Sequence, residues 1–142
     1  MAGAVSALQA VLSAENAAVY GYGLAGALLS GGQLATAQQD WNDHRAACAE
    51  LTAMITKRGA KPAPAAAAYR PPFPVNSAGA AMSLAAKLEE GVVAAYLGLV
   101  AVDDAALRSF GAQGMQTAAV RAAYWRGSTI AFPGMSPTAL RQ

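Results

Sequence analysis

Glu15, His44 and Glu89 are the residue types of a carboxylate and histidine metal site, and Arg121 is a cation that would compete for the same carboxylates. A carboxylate taken out of water is costly unless it is paired or bound to a metal. What satisfies Glu15 is therefore the first clue to what the chain does. The apolar stripe Leu8, Leu12, Val19, Gly26 contains Glu15, with Tyr22 on the same side, so Glu15 points inward. His44 belongs to the stripe Trp41, Cys48, Leu51, Ile55, with Asp40 on its flank and Asp43 toward solvent. Glu89 lies at a stripe edge beside Tyr96 and Val100, and Arg121 shares a face with Leu107, Phe110, Gly114 and Trp125.

These residues sit on four predicted helices, near 5 to 29, 36 to 58, 78 to 103 and 105 to 127, rich in Ala, Leu and other helix-compatible residues. Ser30, Gly31 and Gly32 break the first pair, while Asp103 and Asp104 cap the fourth helix. The expected domain is a single bundle over 1–142: a hairpin at 5–58, a crossover at 59–79, a hairpin at 80–127 and a tail at 128–142. The crossover carries Pro62, Pro64, Pro71, Pro72 and Pro74, which exclude a helix. At ~3.1 Å per residue it can run the ~35 Å length of a bundle, giving up-down-down-up order. In that order a rise of ~1.5 Å per residue brings Glu15, His44, Glu89, Gln116 and Arg121 to similar heights. One buried polar cluster is the expectation, with Glu15 bonded to Arg121 directly or through His44.

The composition sets limits. The chain has 142 residues, 55% of them hydrophobic and 13% charged, enough for one core, and its net charge of +2 makes no basic stripe for nucleic acid. Cys48 has no intramolecular partner, which fits a reducing cytosol and a buried, inert thiol. The N-terminus lacks the basic region of a signal peptide, and the apolar run from Val92 to Val102 is far short of the ~20 residues of a membrane helix. A cytoplasmic, soluble protein is expected. Val93, Leu97 and Val100 are read as apolar positions the core cannot all cover, pointing to a homodimer through the third helix or its neighbours unless the crossover and the tail residues Ile130, Phe132 and Met135 cover them. At a constant offset of 76, Leu8 matches Leu84, Leu12 matches Leu88, Tyr20 matches Tyr96, and Arg45, Ala46, Ala47 matches Arg121, Ala122, Ala123. This reads as an internal repeat of one helical hairpin.

The arrangement resembles the ferritin-like superfamily, whose di-iron members use one Glu from each of two helices and Glu-x-x-His from each of the other two. Glu15 and Glu89 would be the lone carboxylates. The second helix has Asp40 and Asp43 near His44 but no Glu three residues before it, and the fourth has Gln113, Gln116 and Val120 where Glu and His would stand. Half of the metal motif is missing. A closer likeness is to small actinobacterial ferritin-like proteins catalogued as a domain of unknown function. It is carried by LQAVLSAENAAVYGYGLAG from Leu8, DWNDHRAACAELTAMITKRGA from Asp40, YRPPFPV from Tyr69, LEEGVVAAYLGLVAV from Leu88 and AAYWRGSTIAFPG from Ala122. It implies a ferritin-like four-helix bundle and no substrate.

No catalytic set is assigned: a Cys48 and His44 pair in a buried stripe would have no substrate access. The leading expectation is a non-enzymatic ferritin-like protein, without cofactor, whose degenerate metal site has become an ion-pair network. The competing readings are a single metal ion on Glu15, His44 and Glu89, and a small-molecule ligand in a pocket walled by Tyr and Trp.

Overall fold

Alanine and leucine dominate the helical stretches, where apolar residues recur every three or four positions, and the chain coils accordingly. The computed structural model describes residues 3–131. Its helices are α1 (Ala4–Gly26), α2 (Gly31–Lys57), α3 (Ala78–Val100) and α4 (Ala105–Arg126), with no strand among the described residues. The fold class is an all-α four-helix bundle. Capping explains the boundaries. Ser77 Oγ accepts from the Ala80 amide and Asp104 Oδ1 from the Leu107 amide, both at 3.1 Å, tying down otherwise unsatisfied donors at the starts of α3 and α4. Gly127 ends α4 at φ 77°, a left-handed conformation that suits glycine. One boundary differs from expectation. Gly31 and Gly32 form the first turn of α2 instead of breaking the chain, because extended Ser30 precedes them and the turn is completed by Ala27 to Leu29.

α1 packs on α2 and on α3, and α3 packs on α4. The partners across each pair run in opposite directions: Glu15 meets His44 and Tyr22 meets Asp40 on α2, while Glu15 meets Tyr96 and Tyr22 meets Glu89 on α3. α2 and α4 are bridged by side chains, Asp43 to Arg121 and Asp40 to Trp125. Leu8, Val11, Leu51, Ile55, Leu84, Val92, Leu99 and Leu107 are almost wholly buried and form the bulk of the apolar core around the polar residues. Gly111 lets α4 approach α3 closely, since a Cβ there would stand 2.7 Å from Leu99 Cβ and 3.0 Å from the Tyr96 carbonyl oxygen.

The segment between α2 and α3 is exposed and non-helical, and its contacts follow α1. Gln9 holds Lys61 and Ala63 through two hydrogen bonds of 2.8 and 2.9 Å, Tyr69 lies against Tyr20, and Pro71 to Val75 line a groove with Leu24 and Leu28.

The apolar surface of α3 departs from expectation. Val93 is only 1% exposed, and Leu97 and Val100 are half-buried, because α3 lies between α1 and α4 and is covered on two sides. The third-helix basis for a homodimer is lost. Among the described residues, the exposed large apolar side chains are Leu28, Val120, Tyr124 and Ile130. Phe132 and Met135 lie outside the described residues, so the tail's course does too. No helix among them is long and apolar enough to cross a membrane.

Candidate functional site

At the centre of the bundle one imidazole links two carboxylates. His44 Nδ1 lies 2.5 Å from Glu15 Oε2 and Nε2 lies 2.8 Å from Glu89 Oε1. All three residues are buried, Glu15 at 2%, His44 at 1% and Glu89 at 0% exposure. A carboxylate can only accept, so two such bonds require a proton on both ring nitrogens. Burial alone would lower the imidazole pKa, but the bonds to Glu15 and Glu89 and their negative charge outweigh it and push it up to about 9. His44 is therefore an imidazolium at neutral pH.

Two tyrosines complete the carboxylates' shells. The Tyr22 hydroxyl donates to Glu89 Oε1 at 2.6 Å, and the Tyr96 hydroxyl donates to Glu15 Oε1 at 2.9 Å. Burial, then the charge of the adjoining carboxylate, drives each phenol well above the usual tyrosine range, so both stay protonated. Glu15 and Tyr22 stand two turns apart on α1, as Glu89 and Tyr96 do on α3, and each tyrosine serves the other helix's glutamate. Tyr20, which the offset of 76 aligns with Tyr96, is half-buried and lies against Tyr69.

A second layer joins this core to α4. Tyr22 Oη is 3.2 Å from Asp40 Oδ2, which accepts the Trp125 indole N–H at 3.0 Å, and Asp40 Oδ1 lies 3.3 Å from Arg121 Nε. Arg121 also donates to Asp43 Oδ2 at 2.7 Å. Burial raises the Asp40 pKa, against the lowering effects of the Trp125 bond and the Arg121 charge. Beside the network, between α2 and α4, a cavity of about 170 Å³ is lined by Glu15, Asp43, His44, Tyr96, Thr117 and Arg121 among others.

Glu15, His44 and Glu89 lie together, but two expected contacts are absent among the described residues. Arg121 bonds Asp40 and Asp43, not Glu15, and His44 does not bridge them; three further links, Glu89, Tyr22 and Asp40, separate His44 from Arg121. Gln116 is exposed and belongs to no buried cluster, because its position on α4 turns away from Ala118 and Ala122, which face the core. Sequence reasoning offered Tyr22 as a partner of His44 and missed its bond to Glu89, and it missed Tyr96, Asp40 and Trp125 as partners of the site. Their signal was the pair of Glu and Tyr residues two turns apart in both α1 and α3. Cys48 is half-buried rather than buried; its thiol donates to Asn16 Oδ1 at 3.3 Å, and burial pushes its pKa up to about 11, so it is not a nucleophile.

A metal ion does not fit this donor set. Both imidazole nitrogens carry protons directed at carboxylates, and three of the four oxygens of Glu15 and Glu89 accept bonds from His44, Tyr22 and Tyr96. Among the described residues, Glu89 Oε2 alone of these four oxygens has no hydrogen-bond partner, and no group of three or more His, Cys, Asp or Glu side chains is arranged to hold an ion.

Residues 7–137 match the family described as "Domain of unknown function (DUF4439)", and the chain belongs to that family. It is also similar to the crystal structure of a conserved hypothetical protein, Rv2844, from Mycobacterium tuberculosis. The two share 30% identity and a TM-score of 0.84, over 89% of this chain and 98% of that one. No curated protein matches.

Proposed function

We propose that this is a non-enzymatic protein with a ferritin-like, up-down-down-up bundle and a lengthwise Pro-rich crossover, in which the imidazolium of His44 stands where a ferritin-like relative would hold a metal ion. The observation that carries the reading is the placement of both His44 nitrogens on two carboxylates from different helices. A positive charge at that point does electrostatically what a cation would do, and it consumes the ligand that a metal would need. The buried ion-pair network is thus a structural substitute for the site. Further support for the architecture comes from the opposed directions of α1 and α3 and from the contacts of the 59–79 segment along α1. The reciprocal Glu and Tyr pairs favour descent from one duplicated hairpin. A cytoplasmic setting suits the free Cys48. The homodimer of this reading uses the exposed Val120 and Tyr124 on α4 in place of α3.

Metal analysis of protein purified without chelator tests this reading. Less than a tenth of an equivalent of iron, manganese or zinc is expected, and added Fe(II) or Zn(II) should leave the melting temperature unchanged. A stoichiometric metal lost in Glu15→Gln would favour the competing reading, a metal on Glu15, His44 and Glu89, for which the unpartnered Glu89 Oε2 is the one favourable sign.

A further inference from the structure

Three aromatic residues form a continuous path from solvent to the buried network. Tyr124 is 52% exposed; its ring centroid lies 4.9 Å from that of Trp125, and Trp125 lies 6.2 Å from Tyr22, both in edge contact. Trp125 and Tyr22 are 4% and 2% exposed. Phenol and indole are the two aromatic side-chain types most readily oxidised by one electron, and rings in contact exchange an electron readily. Each buried member also has a base in place, Asp40 on the Trp125 N–H and Glu89 on the Tyr22 hydroxyl.

We propose that Tyr22 is a redox-active residue that passes one electron outward through Trp125 and Tyr124 to a one-electron, outer-sphere oxidant at the surface. The Tyr22 O–H bond breaks as the electron leaves, the proton crosses the 2.6 Å bond to Glu89 Oε1, and the oxidant is reduced by one electron. The products are a neutral phenoxyl radical and a neutral Glu89 carboxyl. Proton loss has to accompany electron loss, because the His44 ring is centred 5.2 Å from Tyr22 and its positive charge disfavours a cationic radical. Burial protects the phenoxyl from solvent and from coupling with a second chain.

The same bundle contains a control. Tyr96 has an equivalent carboxylate, Glu15 at 2.9 Å, but its aromatic neighbour is Phe110 at 5.8 Å, which does not relay the electron. Tyr20 and Tyr69 contact each other but have no carboxylate bond. The path therefore singles out Tyr22 among tyrosines of similar chemistry. The inference goes beyond the ion-pair reading and uses the aromatic contacts, which that reading does not need.

The test is photo-oxidation of the full chain with ruthenium(III) tris-bipyridine, freezing, and electron paramagnetic resonance. A tyrosyl signal lasting at least tenfold longer than in the urea-unfolded chain is expected. Tyr22→Phe should shorten it to the unfolded value, and Tyr20→Phe, outside the buried network and against Tyr69, should leave it unchanged. Tyr124→Phe, at an exposed position where folding is safe, should lower the yield at least threefold. A wild-type signal no longer lived than that of the unfolded chain, a long-lived signal persisting in Tyr22→Phe, or an undiminished yield in Tyr124→Phe would overturn the proposal.

Discussion

Tyr22 on α1 donates its hydroxyl proton to Glu89 on α3 at 2.6 Å, and the bond is returned from α3 by Tyr96 to Glu15 at 2.9 Å. α1 and α3 are thereby pinned in register by crossed polar bonds. Removing either hydroxyl leaves a buried carboxylate oxygen short of a donor, which costs about 1–3 kcal/mol. Tyr22→Phe and Tyr96→Phe are expected to lose similar amounts in urea unfolding.

His44 carries the charge that makes the two glutamates tolerable. His44→Ala leaves Glu15 and Glu89 facing one another without a cation, and breaking a buried pair in this way costs about 3–5 kcal/mol. A loss below about 1 kcal/mol, measured by chemical denaturation at neutral pH, would mean that the carboxylates are satisfied by other means.

The same charge sets a pH dependence. The folded-state pKa of His44 is raised to about 9 from an ordinary 6.5. The folded chain therefore holds a proton that the unfolded chain releases. The resulting stabilisation is complete below about pH 6.5 and disappears as pH rises to about 9, a loss on the order of 3 kcal/mol. Melting temperature should fall steadily across that window. A flat or rising profile would contradict the assignment.

Gly111→Ala probes the α3 and α4 contact, independent of the charges. Its Cβ would meet the Tyr96 carbonyl oxygen at 3.0 Å, a backbone atom that cannot rotate away. Overpacking of this kind costs about 1–3 kcal/mol and should also loosen the Tyr96 bond to Glu15. Gly98→Ala, with nothing within 4 Å, should be neutral or slightly stabilising.

Helical period and proline content were enough to place four helices, the non-helical segment around Pro62 to Pro74, and Glu15, His44 and Glu89 inside. Partner choice was not legible, because it depends on the rotation of each helix about its axis. Arg121 had the right phase to face inward, yet the α2 side chains nearest it are Asp40 and Asp43, so it pairs there and never reaches Glu15. Gln116 shows the same limit. Rise along the helix put it at the right height, but phase puts it outside. Gly31 shows another: glycine reads as a breaker, yet after an extended Ser30 it opens α2 at φ 56°.

His44 is the chain's single histidine, so its ring nitrogens can be observed without assignment ambiguity. The direct measurement is ¹⁵N NMR of the imidazole in chelator-free protein between pH 6.5 and 8. Two protonated, slowly exchanging ring N–H groups throughout that range are expected of an imidazolium held between Glu15 and Glu89. A neutral tautomer with one unprotonated nitrogen at pH 7, or a nitrogen shift that changes when metal is added, would contradict the central claim.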